Sequence, residues 1–276
     1  MNDVRPKIGL ALGGGVVLGA AHIGVLRAFA EHNIQIDAIA GTSAGAVVGA
    51  CLASGVPLSE IERIAQNLGW LQIASMPNSI LGIATNTKLG TLLENILPVK
   101  NIESTSIPLR ILATEVARGR KKIFSSGSIS EAVRASACVP IFFSPVEIDG
   151  ELYVDGGLVE NVPLSAFADM DLDILIGVNL TGYEKTFAPK ALPDMIDLCI
   201  FLFSQHRDVP MRQLAHVLIE PDLQAFDVKD FKNLPLIIQA GYDAGIRAIP
   251  EITRLYAEKN IKESFITKFY KKYFAR

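Results

Sequence analysis

The pentapeptide GTSAG, residues 41–45, sets a glycine two residues to either side of Ser43, between an apolar run, IDAIA, and a run of small residues, AVVGACLA. The first reads as a strand and the second as a helix, so Ser43 falls on the sharp turn that joins them. Such a turn holds its central residue in strained backbone geometry with the hydroxyl exposed, and Gly41 and Gly45 let strand and helix approach closely. The free N–H groups and positive dipole end of the following helix favour negative charge developing beside that hydroxyl. This is the setting of a nucleophilic serine; the same string outside it would be a packing turn.

A serine hydroxyl needs a base. Four histidines are available: His22, His32, His206 and His216. His32 sits in a polar turn, His216 opens a strand, and His22 lies on a helix just after a glycine loop. None has the loop setting beyond a late strand that a Ser-His-Asp hydrolase uses, and capping or buried polar roles suit them. A carboxylate is easier to place. In YVDGGLVENVP, Asp155 ends a short strand immediately before Gly156 and Gly157, which let another backbone come close. Within hydrogen-bond reach of Ser43 it takes the serine proton directly, partial burial offsetting its weak basicity; otherwise it is a turn residue.

The loop GGGVVLG, residues 13–19, has several readings. A phosphate loop of the Walker type needs Gly-Lys-Ser/Thr after the glycines, and there is no lysine here. A Rossmann fingerprint needs a glycine where Leu18 stands. The uncharged run from Ile8 to Leu26 has the length of a membrane span, yet six of its residues are glycine, which weakens a helix by roughly 1 kcal/mol each relative to alanine.

Taken together, LGGG…GAAHIGVL, IAGTSAGAVVGA, AVRASACVPIFFSPV, YVDGGLVENVP and HVLIEPDL make the chain, from Ile8 to about Ile246, similar to the patatin-like phospholipase family. The resemblance implies a single α/β patatin-like domain, a mainly parallel central sheet with helices on both faces. It implies a serine hydrolase that cleaves carboxylic esters of lipids through an acyl-enzyme, with Ser43 as nucleophile, Asp155 as base in a Ser-Asp dyad, and the glycine loop as oxyanion hole. The donors map onto Gly14, Gly15 and Val16, with Gly41, Gly45, Gly156 and Gly157 supporting the two motifs. Two alternatives stay open: a non-catalytic lipid-binding or regulatory protein on the same fold, and an acyltransferase using the same nucleophile.

The loop departs from the family pattern, which has a third glycine where this chain has Val16 and a basic residue where it has Leu18. A valine amide can still donate there if its φ is negative. Restoring family-like residues, Val16→Gly with Leu18→Arg, is then expected to raise turnover of a short ester roughly tenfold or less, at some loss of stability.

The elements needed to position these residues are legible in outline. KIGLAL, IDAIA, PLRILATEV, LDILIGVNL and AHVLIEPDL read as strands. Residues 58–69 and 88–97 read as amphipathic helices, SISEAVRASACV as a helix capped by Ser130, and Phe142–Tyr153 as a hairpin turning at Asp149-Gly150. Residues 231–258 read as helix–turn–helix. Two early strand–turn–helix units argue for a parallel sheet. A patatin-like domain is expected over 1–250, followed at 251–276 by a basic, aromatic helix that either docks on the protein or faces a membrane. Residues 75–87, with Met76, Ile80, Leu81 and Ile83 among turn formers, suit either a mobile lid over an acyl groove or an ordered connection packed on the core.

Composition narrows the setting. A formal net charge of −3 gives no reason to expect a nucleic-acid partner. Cys51, Cys138 and Cys199 have no zinc or disulfide spacing and suit a reducing compartment. The expectation is a cytoplasmic protein, with peripheral contact at a membrane surface as an alternative. Its partner is a lipid ester substrate, and no metal or organic cofactor is called for.

Overall fold

The alternation of large and small residues along the strands decides what covers each face of the sheet. In β1 (Ile8–Leu12), Ile8, Leu10 and Leu12 join a large core, while Ala11 joins a second, smaller one. In β2 (Ala38–Thr42), Ile39 joins the large core and Ala38 and Ala40 the small one. The large core is filled by helices. On the small-residue face, the described cover is a 3-10 helix, Leu164–Phe167, which lays Phe167 on the alanines.

The computed structural model describes residues 5–77, 80–182, 198, 213–229 and 231–273, with side chains as far as residue 259. After β1 come α1 (Ala21–Glu31), β2, α2 (Ala44–Ala53), α3 (Leu58–Gln66), the short α4 (Trp70–Ile73), β3 (Gly82–Ala84) and α5 (Thr87–Ile96). The chain continues through β4 (Leu109–Glu115), β5 (Arg120–Phe124), α6 (Ile129–Ser136), β6 (Ile141–Phe143), β7 (Val146–Ile148) and β8 (Glu151–Asp155). Then follow β9 (Ile174–Val178), β10 (Val217–Ile219) and α7 (Leu234–Tyr273). The main sheet runs β10-β9-β1-β2-β4-β8-β7, with β5 also on β4. Strands β10 through β4 are parallel, whereas β5, β8 and β7 are antiparallel additions.

Two expected local features differ. Helix α6 is capped by Ser128, whose Oγ accepts from the Glu131 N–H at 3.2 Å. Ser128 and Glu131 form the Ser-x-x-Glu pattern of a capping box, and Ser130 instead donates to the Gly90 carbonyl, tying α6 to α5. The expected helix–turn–helix at 231–258 is one helix of 40 residues, α7, which runs on through Pro250. Proline removes one helical hydrogen bond, to the Ile246 carbonyl, and packing on α1 carries the helix regardless. That packing is close: a Cβ on Gly24 would lie 1.9 Å from the Ile238 carbonyl. The side chains of the basic, aromatic tail from residue 260 onward lie outside the described residues.

The hairpin at Asp149-Gly150 forms as the dipeptide dictates, with φ of 54° and 80°, the left-handed pair of a type I′ turn. Residues 75–77 and 80–85 belong to a flap. Its ends are pinned by a Ser75–Thr85 bridge and its return strand, β3, pairs with β6. Among the described residues no helix is long and apolar enough to cross a membrane.

Candidate active site

Strand β4 acts as the ruler that brings the two halves of the site together. On one side of it, β2 pairs in parallel as far as Thr42 opposite Leu112. On the same side, β8 arrives antiparallel and ends with Asp155 opposite Ala113. The C-terminal ends of β2 and β8 therefore meet head-on, at consecutive positions of β4, and the next residue after β2 is Ser43. A Cβ on Gly156 would lie 2.3 Å from the Leu112 carbonyl, so only glycine lets β8 end this close.

Ser43 has φ 52° and ψ −121°, a backbone conformation that L residues rarely adopt and that costs of order 1–3 kcal/mol. The turn survives because its surroundings leave no alternative: a Cβ on Gly45 would lie 2.1 Å from the Leu12 carbonyl, so α2 and β1 are in backbone contact. The Asp155 carboxylate accepts from the Gly157 N–H at 2.8 Å, and the Ser43 hydroxyl lies beside it, near enough to favour its charged form. Burial pushes this carboxyl up to about 6, against the opposing pull of the Ser43 hydroxyl and the Gly157 N–H. A buried carboxylate of raised basicity thus faces the hydroxyl.

The glycine loop is held from behind. Gly13 N–H donates to the Val178 carbonyl, and His22 Nε2–H donates to the Gly13 carbonyl at 2.7 Å. Burial lowers the His22 imidazole to about 4, so it is neutral. Of the three expected oxyanion donors, the Gly14 N–H is already taken by Asn161 Oδ1 at 3.1 Å. Asn161 itself donates to Thr181 Oγ1. Gly15 and Val16 border the same cavity as Ser43, and no partner for their N–H groups is seen among the described residues.

Val16 does not have the negative φ expected of a competent valine. Its φ is +52°, the left-handed region where a β-branched residue is strained. The backbone keeps the shape a glycine would take, and valine bears the strain. This reverses the expected effect on stability. Val16→Gly relieves the strain, only partly offset by glycine's greater freedom in the unfolded chain, so a net gain of about 1 kcal/mol is expected, raising the thermal midpoint by roughly 2–4 °C. Calorimetry of the single variant checks this; an unchanged or lower midpoint would refute the strain. Leu18→Arg is a poor companion, because Leu18 is fully buried and would be replaced by a buried charge.

Ser136, fully buried at the end of α6, had no role in the sequence reading beyond its motif. Its hydroxyl donates to the Leu112 carbonyl at 2.6 Å and accepts from the Ser43 N–H at 2.8 Å, tying the strained turn to the ruler strand. Ser136→Ala leaves the Ser43 N–H without its acceptor. The expected result is a kcat lower by on the order of 10–100-fold with KM nearly constant, as a displaced nucleophile requires. A change confined to KM would show that Ser136 does not position Ser43. His22 and Asn161 likewise gain their roles only from the fold. Nothing in their local sequence signals a bond to Gly13 or Gly14.

The remaining histidines serve elsewhere. His32 Nδ1 bonds to the Ala28 carbonyl and His216 Nδ1 accepts from the Leu175 N–H. His206 and Cys199 lie outside the described residues. Among those residues, no cluster of His, Cys, Asp or Glu could hold a metal ion.

A cavity of about 480 Å³ opens over Ser43 and Asp155. Its polar end holds Gly14, Gly15, Asn161 and Thr181. The rest is apolar, walled by Val47 and Cys51 of α2, Ile61 and Ile64 of α3, Leu89 and Leu93 of α5, and Phe143. The size lies within the range of small-molecule sites, and the lining suits a hydrocarbon chain with one reactive polar group.

Fold and site together define an α/β protein with a serine turn and a buried carboxylate at one end of an apolar cavity. The chain belongs to the patatin-like phospholipase family, whose sequence model matches residues 10–168. An uncharacterized NTE family protein of Mycobacterium tuberculosis is 36% identical over 193 residues, covering 69% of this chain and 53% of the relative. Patatin-like phospholipase domain-containing protein 7 of Rattus norvegicus is 30% identical over 189 residues, covering 65% of this chain and 14% of that protein. The chain thus spans about half the length of the first relative and a small part of the second. The crystal structure of VipD from Legionella pneumophila superposes with a TM-score of 0.53 at 14% identity, covering 88% of this chain and 66% of VipD, a likeness of fold.

Proposed function

We propose that this protein hydrolyses carboxylic esters of lipids through an acyl-enzyme on Ser43, with Asp155 as the base. The observation that carries the reading is that the strand ends bearing Ser43 and Asp155 meet on β4, so that both side chains line the polar end of an otherwise apolar cavity. The acyl chain lies along the wall formed by α2, α3 and α5. Ser43 Oγ attacks the ester carbonyl carbon and its proton passes to Asp155. The resulting oxyanion is met by the N–H groups of Gly15 and Val16, each worth roughly 3–4 kcal/mol in a water-excluded site. Collapse expels the alcohol portion, which takes the proton from Asp155. Asp155 then deprotonates a water that attacks the acyl-enzyme, and collapse returns the proton to Ser43 and releases the fatty acid.

Family membership supports the lipid substrate class, and the apolar wall supports an acyl chain. The buried free thiols Cys51 and Cys138 suit work in a reducing compartment, at the cytoplasmic face of a membrane. A serine-directed fluorophosphonate probe and product analysis on phospholipid and lysophospholipid test the reading. Labelling with release of free fatty acid is expected. Transfer to an added alcohol in preference to water would make the protein an acyltransferase, and the absence of both labelling and product would leave a lipid-binding protein.

A further inference from the structure

Most of the exposed large hydrophobic side chains among the described residues gather on one patch of the molecule. Ile80 is 100% exposed, Met76 88%, Leu71 81% and Ile83 67%. Single exposed apolar side chains are ordinary, but a contiguous cluster marks a surface that meets something apolar. These four are held together by the fold. Leu71 follows Trp70 in α4, the Ser75–Thr85 bridge pins the flap beside it, and Gly82 of β3 pairs with Ile141 of β6, itself 48% exposed. The described side chains of the flap are turned outward and are not borrowed from the core.

The chemistry of the patch identifies its occupant. Residues 64–87 and 135–146, which supply it, carry no formal charge. Two lysines border it: Lys88 Nζ donates to the Leu71 carbonyl, and Lys229 lies over the Phe142 ring at 5.5 Å. Trp70, packed edge-on against Phe231, belongs both to the patch and to the cavity wall that leads to Ser43. Aliphatic tips outermost, a tryptophan at the rim and lysines behind them reproduce the depth order of a side that sinks into acyl chains and meets headgroups above them.

We propose that this face, built from α4, the flap and β6, seats the protein on a lipid bilayer, with the cavity mouth against the membrane. This rests on the lipid-ester reading for its purpose, since an acyl chain then passes from bilayer to cavity without crossing water. It rests on exposure and composition for its geometry. The lipid is recognised by its apolar interior.

The test is flotation with vesicles of phosphatidylcholine containing phosphatidylglycerol, comparing the full chain with a Leu71→Gln/Met76→Gln/Ile80→Gln variant. None of these side chains lines the cavity. The full chain is expected to float, and the triple variant to lose at least about tenfold in partitioning with the same thermal midpoint and the same turnover of a short water-soluble ester. Ser43→Ala is expected to float like the parent. Flotation without hydrolysis would leave the docking face standing and remove the esterase reading. A full chain that stays unbound, or a triple variant that floats equally well, overturns the proposal. So does a dimer in sedimentation that the triple variant splits, because the patch would then be covered by a second copy of the chain.

Discussion

Ser43→Ala is expected to lower ester turnover by on the order of 10⁴–10⁶-fold and to abolish labelling by a fluorophosphonate. Among the described serines, Ser43 is the one whose hydroxyl lies beside the Asp155 carboxylate in the cavity. Its loss also takes a hydrogen-bond donor from a buried carboxylate, so Asp155 should titrate higher still in the variant. Stability gives a second, independent readout. Alanine keeps the backbone at φ 52°, ψ −121° and therefore keeps the strain. Ser43→Gly is equally inactive but occupies that conformation freely, so its thermal midpoint should exceed that of Ser43→Ala, by a strain relief of about 1–3 kcal/mol less glycine's entropy in the unfolded chain. Labelling retained in Ser43→Ala would remove this residue as the nucleophile. Equal midpoints for the two variants would show that the turn stores no strain.

The second large effect is expected at Asp155. Asn keeps the shape and the ability to accept from the Ser43 hydroxyl and the Gly157 N–H, but it cannot take a proton. Turnover should fall by on the order of 10³–10⁴-fold, the scale of losing the general base. In the parent, activity should rise as pH passes through about 6, where Asp155 ionises, and stay level above it. Stability moves the other way. A carboxyl raised from its ordinary 3.8 to about 6 favours the folded state's protonated form. Its contribution is intact below about pH 4 and is lost as pH climbs through 6, reaching a cost of about 3 kcal/mol at higher pH. Asp155→Asn removes that cost, so the variant should be more stable than the parent above pH 7 and nearly equal to it below pH 4. Midpoints measured from pH 4 to 8 decide the matter. A variant that is uniformly less stable would mean that the carboxylate is not penalised by burial.

Sequence alone determined what depends on a few neighbouring residues. GTSAG between IDAIA and AVVGACLA is enough to make a strand, a strained turn and a helix, because the glycines relieve every close contact the turn creates. Asp149-Gly150 makes its hairpin for the same local reason, and the period of the apolar residues places β1, β2, β4, β9 and β10. The similarity of several motifs to one family added the pairing of Ser43 with Asp155, which no spacing between residues so far apart could supply. Tertiary structure decided the rest, where the determining partner is distant in the chain. Ser43 and Asp155 meet because β4 receives β2 and β8 on one side at consecutive positions, a matter of strand register. Gly14 loses its N–H to Asn161, and Ser136 reaches the Ser43 amide, through contacts that cross more than ninety residues. Val16 shows the limit most plainly. Its own preference is for negative φ, but the loop is held by His22 on the Gly13 carbonyl and by Val17 on the Val228 carbonyl, and the fold imposes +52°. The same holds for Pro250, which local preference makes a helix end and packing against α1 keeps within α7, because the energy of a long buried interface exceeds that of one missing hydrogen bond.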